Sequence, residues 1–179
     1  MVVIHPLEPV FNASSRVLLL GTMPSPASRE TGFYYGHRQN RFWRVLSALF
    51  HEDVPSGNGA KKDFILSHKL ALWDVLRCCE IQGASDSSIK NPQPNDLTSV
   101  LENAPIQAIF CTGKKSWSLY CRLIERKIHR PALCLPSTSP ANCAVSFEEL
   151  CKAYRRILPF LENPRRQVAE IGEKSSPCR

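Results

Sequence analysis

Four short, continuous apolar segments constrain the fold of this chain more than any other feature of its sequence. Apolar residues without polar alternation are typical of strands buried on both faces of a sheet. Amphipathic helical patterns separate the segments, and this alternation is characteristic of α/β proteins. The predicted strands cover residues 16–21, 70–76, 106–111 and 132–135. We therefore expect an α/β fold, a three-layer α/β/α sandwich around a central, mostly parallel, four-stranded sheet.

Helices are predicted where apolar residues recur at three- and four-residue spacing. The clearest one begins at Ser146, which forms a capping box with Glu149. Another is expected after Gly113, with Trp117 in the core. Further helices are predicted at 40–50, at 61–69 and after Asn95 or Asp96.

Loops are predicted where proline, glycine and polar residues accumulate. Residues 22–28 are expected to form a loop, because Pro24 and Pro26 disfavour a helix there. Residues 55–59 indicate a break, and residues 82–93 a polar loop.

Residues 32–43, G-F-Y-Y-G-H-R-Q-N-R-F-W, combine aromatic, basic and amide side chains. The first half is predicted to be a loop, and the second half begins a helix with Asn40 in the N-cap position. Stacking surfaces and basic groups beside a helix N-terminus suit a flat heterocycle on a phosphate backbone. Phe42 and Trp43 are expected in the core. The residues predicted to form a site are Tyr34, Tyr35, His37 and Arg38. The alternative is that the whole segment is a core cluster.

Ligand sites in parallel sheets form beyond the carboxyl ends of the strands. Those ends lead into 21–28, Val75 onward, 112–115 and 136–142, which we expect to converge on one rim. Asp74 is the only carboxylate at a predicted strand end beside an aromatic residue, and no second carboxylate is predicted to form an acid/base pair with it. Its alternative role is a cap or a salt-bridge partner. The lysines after Gly113 are expected to contact phosphates, or to lie on a solvated helix terminus.

The chain carries a net charge of +7 and has a pI of about 9.1. Such an excess of positive charge favours binding to nucleic acid or another polyanion, although a need for solubility alone also explains it. No apolar run is long enough to cross a membrane, and the N-terminus lacks a secretory signal. We therefore expect an intracellular, cytoplasmic monomer. Its 179 residues suit one domain over 1–163, with a fraying tail over 164–179.

Eight cysteines are present, but neither C-x-x-C nor zinc-finger spacing occurs. We therefore expect reduced thiols, no metal and no cofactor. The motifs G-x-G-x-x-G, G-x-S-x-G and H-E-x-x-H are also absent from the sequence, which sets aside several enzyme classes.

Three segments resemble the motifs of the uracil-DNA glycosylase superfamily, and most closely its hypoxanthine-DNA glycosylase branch. They are G-T-M-P at 21–24, Y-Y-G-H-R-Q-N-R-F-W at 34–43 and L-P-S-T-S-P-A-N at 135–142. L-W-D-V-L at 72–76 and S-D-S-S-I at 85–89 are similar to the same branch. The resemblance implies a three-layer α/β/α fold and a monofunctional, metal-free glycosylase that acts on a flipped base.

The resemblance also implies roles for individual residues. Asn40 matches the catalytic asparagine of the hypoxanthine branch, whereas Met23 stands where the mismatch-specific uracil glycosylases keep theirs. Tyr35 matches the aromatic residue that stacks on the base. The loop 137–142 matches a DNA-intercalating motif, without the usual histidine and leucine wedge. The predicted base-contacting residues are Gly21, Thr22, Met23, Tyr35, Asp74 and Ser137. The predicted DNA-contacting residues are Arg38, Arg41, Lys114, Lys115, Ser139, Pro140, Ala141 and Asn142.

The main hypothesis is therefore a base-excision-repair glycosylase that removes hypoxanthine from double- or single-stranded DNA. Glycosidic cleavage moves negative charge onto the departing base, which preorganised N–H donors stabilise without an acid. One alternative is a uracil-DNA glycosylase acting on G/U mismatches. Another is a non-catalytic module that binds single-stranded nucleic acid.

The positive charge predicts that affinity for undamaged duplex DNA falls steeply with salt. Each phosphate contact releases counterions, so a plot of log affinity against log salt should have a slope of several units. Fluorescence anisotropy titrations between about 50 and 200 mM salt measure this slope. A nearly flat dependence contradicts a phosphate-dominated footprint.

Overall fold

Residues 1–162 are described by a computed structural model of the chain. The strands are β1 (Val2–Ile4), β2 (Val17–Gly21), β3 (Leu70–Asp74), β4 (Leu76–Glu80), β5 (Lys90–Pro94), β6 (Ala108–Thr112) and β7 (Ala132–Leu135). The α-helices are α1 (Pro26–Thr31), α2 (Phe42–Phe50), α3 (Gly57–Ser67), α4 (Thr98–Asn103), α5 (Lys114–Tyr120), α6 (Arg126–Ile128) and α7 (Phe147–Tyr154). The predicted tail at 164–179 lies outside the described residues.

The central sheet contains four parallel strands in the order β3-β2-β6-β7, as the sequence predicts. Strand β2 lies in the middle and is completely buried. Its side chains alternate between two cores. Val17 and Leu19 pack with α2, α3 and α7, whereas Leu18 and Leu20 pack with α4 and α5. This arrangement is the expected α/β/α sandwich.

A second, antiparallel sheet in the order β1-β4-β5 was not predicted. The predicted strand 70–76 divides at Val75, whose N–H donates to the Gly21 carbonyl at 2.9 Å. The predicted polar loop 82–93 also runs into β5. That strand contains Pro92 and Pro94, which lack an N–H group and are confined to sheet edges, so the residue pattern does not indicate a strand.

Helix beginnings differ from prediction in several places. A helix, α1, occupies part of the predicted loop 22–28, because Pro26 stands in the first turn, where no N–H is needed. Helix α2 begins at Phe42, with Arg41 rather than Asn40 as its N-cap. Helix α3 begins at Gly57, inside the predicted break.

Trp117 is 41% exposed rather than in the core, since its indole N–H donates at the sheet edge to the Ala132 carbonyl. The capping box of Ser146 and Glu149 is confirmed. Within the described part of the chain, no helix has the length and apolar character needed to cross a membrane.

Candidate active site

A cavity of about 130 Å³ opens beyond the carboxyl ends of the parallel strands. Gly21, Asp74 and Thr112 are the last residues of β2, β3 and β6, and Ser137 follows β7 by two residues. All four line the cavity. The strand ends therefore converge as predicted, on a space far smaller than the several hundred Å³ of typical ligand pockets. A single planar heterocycle is the kind of ligand that such a cavity suits.

The predicted site residues divide into two groups. Those that line the cavity are Gly21, Thr22, Met23, Tyr35, Asn40, Asp74, Ser137 and Ser139. Those outside its lining are Arg38, Arg41, Lys114, Lys115, Pro140, Ala141 and Asn142. The split follows the predicted roles closely, because all residues expected to touch the base fall in the first group.

Tyr35 presents an aromatic surface to the cavity and is held on three sides. Its ring stacks on Phe42 with centroids 3.7 Å apart and an angle of 11° between the planes. Because the Thr112 hydroxyl donates to the Leu20 carbonyl, the Tyr35 hydroxyl donates to Thr112, at 2.9 Å. Burial raises the pKa of Tyr35 well above its usual value, so the phenol stays neutral.

The backbone at Tyr35 is strained, with a φ of 53° that non-glycine residues rarely adopt. The surrounding structure holds it there. The N–H of Gly36 donates to the Ser28 hydroxyl at 3.0 Å, and a side chain at Gly36 would lie 2.3 Å from the Thr31 hydroxyl oxygen. Strain of this kind costs about 1–3 kcal/mol and is typical of functional sites.

Asn40 is fixed through its amide oxygen. Oδ1 accepts the Phe42 N–H at 3.0 Å and the Thr138 hydroxyl at 2.8 Å. These bonds identify the oxygen, since a backbone N–H must donate to an acceptor, and they occupy both of its lone pairs. The Nδ2 amino group has no acceptor within residues 1–162. The atom that Asn40 leaves for a ligand is therefore an N–H donor.

Arg41 organises the loop 137–142, which borders the cavity. Its guanidinium donates to the carbonyls of Ser139, Asn142 and Val145, and its backbone N–H donates to the Thr138 carbonyl. This use of the guanidinium differs from the predicted phosphate contact. Arg41 and Asn40 together join the start of α2 to the loop after β7.

Asp74 is 4% exposed and forms a hydrogen bond with a residue that the sequence did not indicate. Its Oδ2 lies 2.8 Å from Nε2 of His5. Nδ1 of His5 accepts the Leu7 N–H at 3.2 Å, so the proton of the neutral ring is on Nε2 and is donated to Asp74. A Cβ atom at Gly21 would lie 2.2 Å from Asp74 Oδ1. Only glycine there allows the carboxylate to approach the cavity.

Asp86 is a second carboxylate in the lining, which corrects the prediction that no other is placed near Asp74. It begins a single helical turn, Asp86–Ser88, and its Oδ2 accepts the Thr22 hydroxyl at 3.0 Å. Desolvation of the carboxyl group raises the pKa of Asp86, although the residue as a whole is exposed. The Thr22 hydrogen bond and the charge of Lys115 oppose that rise, and the charge of Asp74 adds to it.

The remaining predicted cations lie on the surface. Lys114 is exposed at the start of α5, and Lys115 beside it is half-buried. Arg38 is exposed in a separate surface depression that it shares with His37, so neither reaches the cavity. Tyr34, which was also predicted for the site, lines the cavity, although it is 3% exposed and its hydroxyl donates to the Glu8 carbonyl at 2.8 Å.

Three residues of the site were missed by sequence reasoning. His5 lies in the N-terminal segment, far from every motif, and no pattern in the neighbouring residues indicates that it belongs to the site. Thr138 and Asp86 lie inside the segments 135–142 and 85–89, whose motif resemblance was noted without a role for either residue. Among the described residues, no group of three or more His, Cys, Asp or Glu is arranged to hold a metal ion.

Comparison with known proteins gives consistent similarities. The family model of the uracil DNA glycosylase superfamily matches residues 8–162. A hypoxanthine DNA glycosylase of Methanosarcina barkeri is 33% identical over 110 residues, which cover 60% of this chain and 70% of the relative. A hypoxanthine DNA glycosylase of Methanosarcina acetivorans is 31% identical over 134 residues, covering 74% and 84%.

A solved structure is also similar. It is the solution NMR structure of a candidate uracil DNA glycosylase from Methanosarcina acetivorans, with a TM-score of 0.73 and 26% sequence identity. The match covers 88% of this chain and 99% of the solved one.

The His5–Asp74 pair predicts the stability of a variant. His5→Leu leaves the buried carboxylate without its N–H donor, and leaving a buried acceptor without its hydrogen bond typically costs about 1–3 kcal/mol, or more when the acceptor is charged. Urea unfolding should show a loss of this size in the free energy of unfolding. The exposed His37 provides the matched control, since His37→Leu should change stability little. Equal stability of the His5 variant and the wild type contradicts the assignment.

Proposed function

Because the chain belongs to the uracil DNA glycosylase superfamily, we propose that it hydrolyses the N-glycosidic bond of hypoxanthine in DNA. The observation that carries this proposal is the small cavity at the strand ends, with an aromatic face, a buried carboxylate and an amide donor in its lining. The names of the two Methanosarcina relatives support hypoxanthine as the base. A cavity of this size admits the base alone, so the nucleotide must be turned out of the helix.

Asp74 and Tyr35 are the base-recognition residues of this proposal. Hypoxanthine enters against the free face of the Tyr35 ring, whose other face is covered by Phe42. Hypoxanthine presents a ring N–H beside a carbonyl, whereas adenine presents a ring acceptor beside an amino group. Since Oδ2 of Asp74 is taken by His5, Oδ1 is the acceptor for the ring N–H. Contact through the N–H also avoids repulsion between the carboxylate and developing negative charge.

Asn40 carries the step in which water attacks. An amide is far too weak a base to remove a proton at neutral pH, but Nδ2 can donate to a water whose other lone pair faces the anomeric carbon. The bonds of Oδ1 to Phe42 and Thr138 preset that donor. Because an oxocarbenium-like sugar is strongly electrophilic, positioning without a strong base is sufficient.

The loop 137–142 and the surface cations form the DNA-binding part of the proposal. Arg41 holds the loop carbonyls from beneath, so that Ser139, Pro140 and Ala141 meet the duplex as a preformed unit. Lys114, Lys115 and Arg38 supply charge for the phosphates. Arg41 contributes by supporting the loop rather than by touching phosphate.

The Asn40 assignment is tested by single-turnover cleavage of a duplex that contains one deoxyinosine. Asn40→Ala removes both the donor and the contact to Phe42, and the rate should fall by about 10²-fold or more. Abasic sites are revealed by alkali. Cleavage by a folded, DNA-binding variant at a near wild-type rate removes Asn40 from the mechanism.

Two controls separate chemistry from folding. Asn40→Asp keeps an acceptor for Phe42 and Thr138, so it should retain the stability that Asn40→Ala loses, about 1 kcal/mol. Asn58→Ala alters an exposed asparagine that contacts the Thr31 carbonyl, and should leave cleavage unchanged.

Wild-type protein that binds DNA without cleaving it supports the alternative of a binding module. Preferred cleavage of a G/U duplex supports the alternative of a uracil-DNA glycosylase.

The base-edge assignment predicts a change of selectivity in Asp74→Asn. An amide at this position no longer supplies a firm acceptor for the ring N–H, so the preference for deoxyinosine over deoxyadenosine should fall by about tenfold or more. The measurement is the ratio of single-turnover rates on matched duplexes. Asp63→Asn, an exposed change of the same type on α3, is the control. An unchanged ratio contradicts the proposed role of Asp74 in recognising the base edge.

A further inference from the structure

The lining of the cavity contains two carboxylates in different surroundings. Asp74 is buried and accepts a hydrogen bond from the His5 N–H, so it is an acceptor on the inner wall. Asp86 lines the same cavity, where its carboxyl group accepts the Thr22 hydroxyl. Two carboxyl groups in unlike surroundings can take different roles in one active site, one as an acceptor and the other as a proton donor.

The turn that carries Asp86 is held in place by its own hydrogen bonds. Ser88 donates to the Ser85 carbonyl at 2.7 Å through its hydroxyl and at 2.9 Å through its N–H. The N–H of Gln82 donates to the Ser88 hydroxyl at 2.9 Å. Asp86 is thus presented to the cavity by a closed turn rather than by an open loop.

One oxygen of Asp86 is already engaged, and this favours the other as the proton carrier. Oδ2 accepts the Thr22 hydroxyl at 3.0 Å, whereas Oδ1 has no hydrogen-bond partner among the described residues. The charged and titratable groups that face the carboxyl group are Lys115, which favours its ionised form, and Asp74, which disfavours it. Desolvation is the largest influence and raises the pKa of Asp86. A bound base would exclude more water and act in the same sense.

We propose that Asp86 is a catalytic residue that protonates a ring nitrogen of the departing purine through Oδ1. This inference rests on the proposed function. The proton passes from Asp86 to N7 or N3 of hypoxanthine as the bond between C1′ and N9 breaks, and the bonding electrons leave with the base. Water adds to C1′ and loses a proton that restores the Asp86 carboxyl group. The products are neutral hypoxanthine and an abasic site, so atoms and charge balance.

The proposed step distinguishes purines from uracil. Uracil has no basic ring nitrogen comparable to N7 or N3 and departs as an anion stabilised by hydrogen bonds. Protonation by Asp86 therefore accelerates loss of hypoxanthine specifically. It also supplies the stabilisation of the leaving base that the histidine of other superfamily members would otherwise provide. Because the protonated form is active, the rate should be highest below the pKa of Asp86 in the complex and should decline as pH rises through it.

The test compares the wild type with Asp86→Asn in single-turnover cleavage of duplexes that contain deoxyinosine, 7-deazadeoxyinosine or 3-deazadeoxyinosine. General acids typically contribute 10²- to 10⁴-fold, so the variant should cleave deoxyinosine about 10²-fold more slowly. With the analogue that lacks the accepting nitrogen, wild type and variant should cleave at similar rates. The wild-type rate on deoxyinosine should also decline on the alkaline side, and the variant should lose this pH dependence.

Several results overturn the proposal. These are a wild-type rate for Asp86→Asn on deoxyinosine, equal sensitivity of both deaza analogues to the substitution, or a wild-type rate that rises with pH through the same range. The last result indicates an ionised carboxylate that stabilises the sugar cation. Asp53→Asn, exposed and remote from the cavity, is the matched control, and Asp86→Ala with unimpaired DNA binding is the second variant. A wild-type protein that does not cleave deoxyinosine instead refutes the proposed function itself.

Discussion

The parallel pairing of β2 between β3 and β6 is the constraint on which the site depends. Strand β2 is wholly buried, and its last residue, Gly21, is in register with Asp74. Because the strands run in the same direction, their carboxyl ends meet at one edge, where several chain segments supply the walls of one cavity. The absence of a side chain at Gly21 then lets the Asp74 carboxylate lie against the neighbouring backbone. A larger residue would displace the carboxylate and with it the His5 contact.

Rigid connections between segments distant in sequence complete the site. Asn40 and Arg41, adjacent in the chain, both bind the loop 137–142, one through the Thr138 hydroxyl and the other through backbone carbonyls. The strained backbone of Tyr35 is held by stacking on Phe42 and by its hydrogen bond to the end of β6. Cavity wall and loop are therefore parts of one hydrogen-bonded unit. In the proposed function this unit prepares the donor of Asn40 before substrate binds, which is the condition for catalysis by positioning.

The charged groups on the surface and those in the cavity have different roles. The chain carries a net charge of +7, and its exposed cations suit long-range attraction of a polyanion. The cavity, by contrast, contains two carboxylates, one that accepts an imidazole N–H and one that accepts a hydroxyl group. The proposed function requires both features, because phosphate attraction is independent of the base, whereas discrimination between bases needs acceptors and donors in a small, water-poor space.

The sequence by itself determined the four parallel strands, the convergence of their ends and the membership of Tyr35, Asn40 and Asp74 in one cavity. Continuous apolar runs and local motifs carry that information. Once the strands are buried and parallel, their carboxyl ends must meet at the same edge of the sheet. Only the tertiary structure decided the pairing of His5 with Asp74, the place of Asp86 beside Thr22 and the second sheet. These depend on contacts between residues as far apart in the chain as Val2 and Glu80, and on edge strands with little pattern of their own. No periodicity or local motif encodes such contacts, because they are selected by the packing of the whole chain.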